Sequence, residues 1–344
     1  MDVRKTLERL CLVNGPSGFE QNVADAAERL LRPLTDETYR TALGSVVGVR
    51  RSGAPGAKRL LLDAHMDEVG AIVTGHKEGF LRFRPLGGVD PRMLCDREML
   101  LLTEPERLAV TACLPPHVQS GKDEDEASPV DKIYLDAGLA PEEAERLVPV
   151  GTPAVYRGGF AALGGDLISA KALDDRACMV AILRALELMG DKLAWDVYVL
   201  FSTQEETTSV GAITAASEIA PHACIAVDVT HAVTPDAPKD GCFKLGGGPT
   251  VGIGPNADRR MAAQFLALAE KLHIPVQTEV MAGHSGTNAW PVQICREGIV
   301  TSVLSLPLRY MHTPIETISL SDLDATARLL SAYVTRAGEV TARA

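Results

Sequence analysis

Eight side chains in this sequence can perform chemistry together if the fold gathers them. Imidazoles and carboxylates without thiolates are typical of sites for zinc, cobalt or manganese. Two histidines and six carboxylates are also enough ligands for two ions that share one carboxylate. The eight residues occur in five groups, which are His65-Met-Asp67, Asp174-Asp175, Glu205-Glu206, Asp228 and His312.

The spacing within these groups indicates how the work is divided. At the end of a strand, His65 and Asp67 point to the same side, so Asp67 can accept the imidazole N–H and fix its tautomer. Of two adjacent glutamates, one can bind a metal while the other takes a proton from water. Taken singly, each group has an ordinary structural explanation, since acidic pairs such as Asp174-Asp175 often cap helices. The joint occurrence of all five groups favours a hydrolytic metal site. Such a site can cleave a stable amide bond.

Each of these groups stands next to a predicted regular element. Predicted strands at residues 59–64, 195–201, 223–227 and 299–306 lead into His65, Glu205, Asp228 and His312. A helix predicted at residues 172–189 begins at the acidic pair. In an open α/β sheet, the carboxyl ends of the strands form the crevice where ligands bind. If the four strands are parallel neighbours, we therefore expect these side chains to converge.

The rest of the chain predicts the fold that positions them. Strand-like and helical segments alternate, which indicates an α/β fold with a mixed sheet and helices on both faces. Residues 71–156 differ, since they contain short β-like stretches separated by Gly, Pro and charged residues. We expect a catalytic domain at residues 1–69 and 158–344 and a small inserted β-rich domain at residues 70–157. The run at residues 122–127 (KDEDEA) is predicted to be a solvated loop.

Composition excludes several classes of partner. Among 344 residues there are 34 Lys and Arg and 45 Asp and Glu, a net charge of −11, which disfavours nucleic acids and anionic membranes as partners. No apolar run approaches the ~20 residues that span a bilayer, and the charged N-terminal segment does not resemble an export signal. The seven cysteines are odd in number and never in C-x-x-C spacing. We therefore expect a cytoplasmic protein.

The sequence resembles the tetrahedral-shell (TET) metallo-aminopeptidases across nearly its whole length. That family includes glutamyl, leucyl and lysyl aminopeptidases, and its members are often labelled cellulase M or endoglucanase. Further matches occur at residues 14–20, 85–92, 115–117 and 296–298. The main matching segments, in family order, are Asp63-Ala-His65-Met-Asp67-Glu68-Val-Gly70, Lys171-Ala-Leu-Asp174-Asp175-Arg176, Gln204-Glu205-Glu206, Asp228-Val-Thr230 and Arg309-Tyr-Met-His312-Thr-Pro314.

The resemblance implies a role for each matched residue. Asp174 would bridge two divalent ions, with zinc expected and cobalt or manganese as alternatives. His65 and Asp228 would be the remaining protein ligands of one ion, and Glu206 and His312 those of the other. Glu205 would be the general base, Asp67 would orient His65, and the Asp174–Asp175 peptide would be cis.

The same resemblance implies how the protein functions as a whole. It would remove N-terminal residues from short peptides. The inserted domain would be a dimerisation domain, and six dimers would build a hollow dodecamer with inward-facing active sites.

Two segments depart from the family pattern. Thr207-Thr208 replaces the usual Val-Gly, and residues 282–289 read AGHSGTNA where relatives carry GGGTDA. Both should line the substrate pocket, so they bear on side-chain preference. His284 is predicted to line the pocket or form hydrogen bonds, because the family pattern supplies every metal ligand without it.

Three alternative functions remain open from sequence alone. A glycoside hydrolase would need two carboxylates flanking a sugar and no metal. A metal-dependent deacylase would act on N-acylated amino acids or peptides. A shell or binding protein without catalytic activity is disfavoured by the intact set of ligands.

Overall fold

The computed structural model describes residues 1–115, 118, 128–238 and 240–336. The predictions for Pro116, His117 and the acidic run at residues 122–127 lie outside the described residues. Among the described helices, none is both long and apolar enough to cross a lipid bilayer.

The described residues form eight helices and seventeen strands. The helices are α1 (Val3–Cys11), α2 (Gln21–Leu31), α3 (Pro141–Leu147), α4 (Leu173–Leu188), α5 (Val210–Ile219), α6 (Arg259–Leu272), α7 (Ala289–Gln293) and α8 (Leu320–Arg336). The strands are β1 (Glu37–Arg40), β2 (Val46–Arg50), β3 (Arg59–His65), β4 (Gly70–Lys77), β5 (Phe80–Leu86), β6 (Glu98–Leu101), β7 (Arg107–Ala112), β8 (Tyr134–Asp136), β9 (Pro153–Tyr156), β10 (Phe160–Ala162), β11 (Leu167–Ala170), β12 (Asp196–Ser202), β13 (Ala223–His231), β14 (Thr250–Ile253), β15 (Gln277–Val280), β16 (Val300–Leu308) and β17 (Glu316–Ser319).

Eight strands form the large mixed sheet, in the order β1-β2-β12-β3-β13-β16-β14-β15. The four central strands, β12, β3, β13 and β16, are parallel neighbours. Their register places Ser202 opposite His65 and Asp228 opposite Ser305. The carboxyl ends of these strands therefore meet at one edge of the sheet. The four strands are parallel neighbours, as the expected convergence of the side chains that follow them requires.

Apolar side chains alternate along the strands and create a core on each face of this sheet. In β3, Leu60 and Leu62 belong to the core that also contains residues of α1, α2, α4, α6 and α8, while Leu61 belongs to the core that contains residues of α5 and α7. This alternation follows from the two-residue period of a strand. It confirms the predicted α/β fold with helices on both faces.

Six antiparallel strands close into a barrel, in the order β4-β5-β8-β7-β6-β9. The barrel has its own apolar core, which includes Leu81, Leu101 and Leu135, and α3 packs against it through Ala144. Its strands coincide with the β-like stretches predicted from sequence and fall within residues 70–157. The domain boundaries themselves stay a prediction.

Several elements differ from the predicted ones. The sequence did not predict β1, β14, α3, α7 and the small antiparallel sheet β10-β11-β17, which are short and carry little hydrophobic periodicity. It also ended the strand before Asp228 at residue 227, whereas β13 continues to His231. Asp228 therefore lies inside a strand, with its backbone fixed by hydrogen bonds to the neighbouring β16.

Candidate metal centre

The carboxyl edge of the large sheet holds the residues predicted to bind metal. His65 is the last residue of β3, Asp228 lies in β13, and Glu206 follows β12. His312 follows β16, and Asp174 lies where the first turn of α4 departs from helical geometry. The structure thus brings together side chains that are as far apart in sequence as positions 65 and 312.

Asp174 lies between the two histidines. Its Oδ1 is 3.0 Å from Nε2 of His65, and its Oδ2 is 3.3 Å from Nε2 of His312. Nε2 of His312 is also 3.3 Å from Oε2 of Glu206. A carboxylate with one oxygen beside each imidazole has the geometry of a ligand that two ions can share.

Two overlapping groups of ligand atoms lie close enough to hold a cation each. One consists of His65, Asp174 and Glu206, and the other of His65, Asp175 and Asp228, with all ligand atoms of a group within 4.8 Å of one another. Asp175 was not assigned a role by sequence analysis. Its Oδ2 accepts the backbone N–H of His65 at 3.2 Å, whereas its buried Oδ1 has no hydrogen-bond partner among the described residues.

The pKa shifts of these groups reflect several carboxylates buried close together beside two imidazoles. Burial raises the pKa of Glu206 and of Asp228 well above the usual carboxyl range, and neighbouring carboxylates add to the effect. Burial alone would lower the pKa of His312, but hydrogen bonding to Asp174 and the charge of Glu206 raise it to about 10. Asp174 differs, since hydrogen bonds with His312 and His65 outweigh burial and lower its pKa.

These residues fit divalent metal ions. Buried carboxylates need compensating charge, and a cation supplies it. Two donors bound to one tetrahedral zinc at about 2.0–2.1 Å lie about 3.3 Å apart, which equals the spacing of His312 Nε2 from the oxygens of Asp174 and Glu206. The set of imidazoles and carboxylates also has the chemistry that zinc, cobalt and manganese prefer.

Asp67 connects His65 with the turn that carries the two glutamates. The carbonyl oxygen of Asp67 is 3.1 Å from Nδ1 of His65, and its carboxylate Oδ1 is 3.4 Å from the same nitrogen. The carboxylate accepts the backbone N–H groups of Glu205 at 3.0 Å and Glu206 at 3.1 Å. Sequence analysis expected the carboxylate to hold the imidazole, but the backbone carbonyl is the nearer acceptor.

Glu205 has the surroundings of a proton acceptor. Its Oε2 is 4.0 Å from Nε2 of His65, and no described residue donates a hydrogen bond to its carboxylate. Burial, with added repulsion from Asp67 and Asp174, raises the pKa of Glu205 to about 7. Its neighbour Glu206 faces His312 instead, so the adjacent pair points to two different tasks.

Sequence analysis missed two contacts that hold His312. The carbonyl oxygen of Gly88, in the loop between β5 and β6, lies 2.7 Å from Nδ1 of His312. Glu316 accepts the backbone N–H of the same histidine at 2.7 Å. A glutamate in the fully buried strand β17, four residues after His312, was the available signal for the second contact.

A buried ion cluster lies under the site and was also missed. Glu68 accepts hydrogen bonds from Nζ of Lys171 at 2.6 and 2.7 Å, from Arg176 at 3.1 Å and from the backbone of Gly15 at 3.1 Å. Arg176 also donates to the carbonyl oxygen of Met66. The cluster joins the N-terminal segment, the end of β3 and the start of α4.

Thr207 and His284, in the two segments that depart from the family pattern, each have a close neighbour. The hydroxyl of Thr207 is 2.8 Å from that of Ser17, which ties the turn of the glutamates to the N-terminal segment. The ring of His284 packs on Trp290 with 4.7 Å between centroids, and His284 is in neither group of clustered ligand atoms found among the described residues. The Asp174–Asp175 peptide is cis, as the resemblance implied.

Comparison with known proteins identifies the family. A family model described as M42 glutamyl aminopeptidase matches residues 44–329. A lysyl aminopeptidase of Pyrococcus furiosus is 36% identical over 326 residues, which are 93% of each chain. These matches support peptide-bond hydrolysis over the deacylase and glycoside hydrolase alternatives.

Solved structures agree with the sequence matches. An aminopeptidase from the archaeon Desulfurococcus kamchatkensis is 32% identical, with a TM-score of 0.90, over 97% of this chain and 94% of that one. The TET1 peptidase of Pyrococcus horikoshii, whose structure is described as assembling into a tetrahedron or a large octahedral shell, is 30% identical, with a TM-score of 0.84, over 97% and 99%. The chain therefore belongs to the M42 glutamyl aminopeptidase family, and it is an aminopeptidase that depends on divalent metal ions.

Proposed function

We propose that this aminopeptidase uses two metal ions, zinc by preference, which share the carboxylate of Asp174. His65 and Asp228 are the remaining protein ligands of one ion, and Glu206 and His312 are those of the other. The observation that carries the proposal is the position of Asp174, with one carboxylate oxygen 3.0 Å from His65 and the other 3.3 Å from His312. When bound, such ions polarise a carbonyl group and make water acidic enough to attack it at neutral pH.

The protein side chains supply the proton transfers in this proposal. Glu205 takes the proton from the attacking water and returns it to the nitrogen of the leaving amine as the peptide bond breaks. Its carboxylate is suited to this task because no described residue donates a hydrogen bond to it. Asp67 acts as a positioning residue, since its carboxylate holds the backbone N–H groups of Glu205 and Glu206.

We propose short peptides with a free α-amino group as substrates. The family model is described as glutamyl aminopeptidase and the relative from Pyrococcus furiosus as a lysyl enzyme, so similarity alone points to no single side chain. A panel of aminoacyl anilides, assayed after metal-free protein is reloaded with zinc, cobalt or manganese, identifies the preferred residue and metal. Blocking the α-amino group by acetylation should abolish cleavage, whereas a deacylase would remove the acetyl group.

Replacement of Glu205 by Gln tests the assignment of the base. The amide keeps nearly the same shape but is not a base at neutral pH, so we expect the variant to retain its metal ions and to lose 10²-fold or more of the turnover, roughly the contribution of general base catalysis. Glu270→Gln is the matched control, because Glu270 is exposed on α6. If Glu205→Gln cleaves peptides at the rate of the control, the base is another group.

We further propose that the chain assembles through the barrel into dimers and that six dimers form a shell. Two features support this proposal. Leu108 and Val110 of β7 project from the barrel with 46% and 42% of their surface exposed, and the similar TET1 peptidase of Pyrococcus horikoshii is described as forming shells. We also propose a reducing, cytoplasmic location for the protein. Free thiols at Cys11, Cys178 and Cys224, all buried, support this location.

A further inference from the structure

Glu316 connects two of the candidate metal ligands through their backbones. Its Oε2 accepts the N–H of Asp174 at 3.0 Å, and its Oε1 accepts the N–H of His312 at 2.7 Å. Pairing of β17 with β11 places Glu316 opposite Ala170, four residues before Asp174. The carboxylate is buried, and both of its oxygens are used in these two bonds.

The two backbone groups held by Glu316 lack the partners that regular structure would give them. His312 has a φ of +62°, in the left-handed region that a residue with a side chain rarely adopts. Asp174 has non-helical dihedral angles inside the first turn of α4. Buried N–H groups in such positions need a specific acceptor, and here one carboxylate serves both.

The same device occurs on the other side of the site. Asp67 accepts the backbone N–H groups of Glu205 and Glu206 with its two carboxylate oxygens. Two buried carboxylates therefore hold four of the functional residues by their main chains, in two pairs. Asp67 holds the base with one ligand, and Glu316 holds the shared ligand with another.

We propose that Glu316 is a positioning residue of the metal centre. By joining the backbones of Asp174 and His312 it fixes the distance between the shared ligand and a ligand of the second ion. The inference rests on the proposed ligand roles of these two residues. Glu316 is not among the proposed ligands, and each of its oxygens already accepts a backbone N–H group.

Two substitutions separate the geometry from the charge of Glu316. In Glu316→Gln one oxygen becomes an NH₂ group, which cannot accept an N–H, so either Asp174 or His312 loses its bond. Glu316→Asp keeps the charge but is one methylene shorter and cannot reach both N–H groups. If positioning is the role, both variants should bind metal more weakly than wild type by about 10–100-fold, the usual effect of removing a group that supports metal ligands.

Asp322→Asn provides a matched control. Asp322 is also buried and also accepts two backbone N–H groups, those of Gly246 at 2.8 Å and Gly248 at 2.7 Å. It touches none of the candidate ligands. We therefore expect Asp322→Asn to lower the unfolding midpoint of the metal-free chain in urea and to leave the metal affinity of the folded chain unchanged.

The measurement is the affinity of the metal-free, folded chain for Co²⁺, by competition with a chelator, together with the visible absorption spectrum of the cobalt form. We expect weaker binding and an altered spectrum for both Glu316 variants only. The inference is overturned if either variant binds Co²⁺ like wild type with an unchanged spectrum, or if Asp322→Asn weakens binding equally. A wild-type chain that binds no Co²⁺ would instead overturn the proposed function on which the inference rests.

Discussion

At the scale of single residues, Asp174 and Asp67 each connect two parts of the site. The oxygens of Asp174 lie beside different histidines, while those of Asp67 hold two consecutive backbone N–H groups. A residue with two contacts of this kind cannot be replaced by one that keeps only one of them. In each of the two asparagine variants below, an NH₂ group replaces one carboxylate oxygen. The variants therefore test these contacts directly.

Asp174→Asn should abolish metal binding at both positions. The amide is neutral, and its nitrogen cannot ligate, so each ion loses charge compensation or a ligand atom. We expect fewer than one tightly bound ion per chain, measured by inductively coupled plasma mass spectrometry after gel filtration, and activity below detection. Two retained ions would show that Asp174 is not shared.

Asp67→Asn should lower turnover more than metal content. Its NH₂ group faces the backbone N–H of Glu205 or Glu206 and loosens the turn that carries both. We expect kcat, measured with excess zinc, to fall by about 10–100-fold, because the proposed base is displaced while the added zinc keeps the site filled. The expectation is wrong if kcat stays within twofold of wild type in steady-state assays.

Candidate ligands could be named from sequence because a metal centre needs a few residue types that rarely occur together. The residues that hold those ligands were not, since one glutamate among many, such as Glu316, has no distinctive spacing. Asp67 shows both cases. Its place beside His65 followed from strand alternation, but its bonds to residues 205 and 206 depend on tertiary structure.

At the scale of elements, the loop between β5 and β6 brings the barrel into contact with the candidate ligand His312. The carbonyl oxygen of Gly88 in this loop orients the imidazole of His312. A Cβ atom on Gly88 would lie 3.1 Å from Nδ1 and 3.2 Å from Cε1 of that ring. The barrel therefore contributes to the geometry of the site as well as carrying the surface proposed for dimerisation.

Gly88→Ala tests this contact between barrel and site. The added methyl group should push His312 away from Asp174 and Glu206 and weaken metal binding by about 10-fold, at the lower end of effects on groups that support ligands. Gly75→Ala is the control, because a Cβ on Gly75 of β4 would meet no atom within 4 Å. Isothermal titration of metal-free protein compares the two, and equal affinities would contradict the account.

The buried ion cluster under α4 predicts a large loss of stability. Lys171→Met leaves Glu68 with Arg176 and one backbone N–H, so the carboxylate is only partly compensated. We expect the free energy of unfolding to fall by about 3 kcal/mol, near the lower end for broken buried ion pairs. The measurement is urea unfolding of the metal-free chain.

Arg157→Met is the control for the ion cluster. Arg157 pairs with Glu98 at 2.8 Å, but both side chains are 53% exposed, and exposed pairs contribute about 0–1 kcal/mol. If the Lys171 and Arg157 variants lose the same stability, the buried cluster has no special role in joining these elements.

Long elements with clear periodicity were predicted from sequence, and short ones were not. The central strands and α4 combine apolar runs with turn residues, so their positions followed within a few residues. β1 reads Glu-Thr-Tyr-Arg and lies at the edge of the sheet, where only one neighbour covers it and no apolar alternation is needed. The continuation of β13 past Asp228 depends on its pairing with β16, which local sequence does not encode.

At the scale of the whole molecule, we expect metal binding to be coupled to folding. The site contains several buried carboxylates whose mutual repulsion opposes folding of the metal-free chain. Ions that bind only the folded state add RT ln(1 + [L]/Kd) to stability, about 4.1 kcal/mol at a concentration 1,000 times Kd. The closed barrel and the large sheet share this site through His312 and Gly88.

Removal and return of metal should therefore change thermal stability reversibly. We expect a chelator to abolish peptidase activity and lower Tm by several degrees, and zinc to restore both. The control is the Asp174→Asn variant, whose Tm should not respond to zinc. An equal response of that variant in differential scanning calorimetry would place the stabilising ion elsewhere.

The fold class followed from sequence, and a candidate site could be named, because both depend on local patterns and rare residue combinations. Assembly was implied only by the family resemblance, since the apolar residues on β7 are too few to identify a partner. If the shell is formed, multi-angle light scattering should report a particle of twelve times the mass of one chain. A monomer at all concentrations would contradict the proposed assembly but leave the metal site intact.

The shared role of Asp174 would be visible in a crystal structure of zinc-loaded protein, with anomalous difference maps recorded on both sides of the zinc absorption edge. We expect two peaks about 3.5–4 Å apart, one on each side of the Asp174 carboxylate, with His65 and Asp228 at one and Glu206 and His312 at the other. A single peak, or a second peak that Asp174 does not touch, would contradict it.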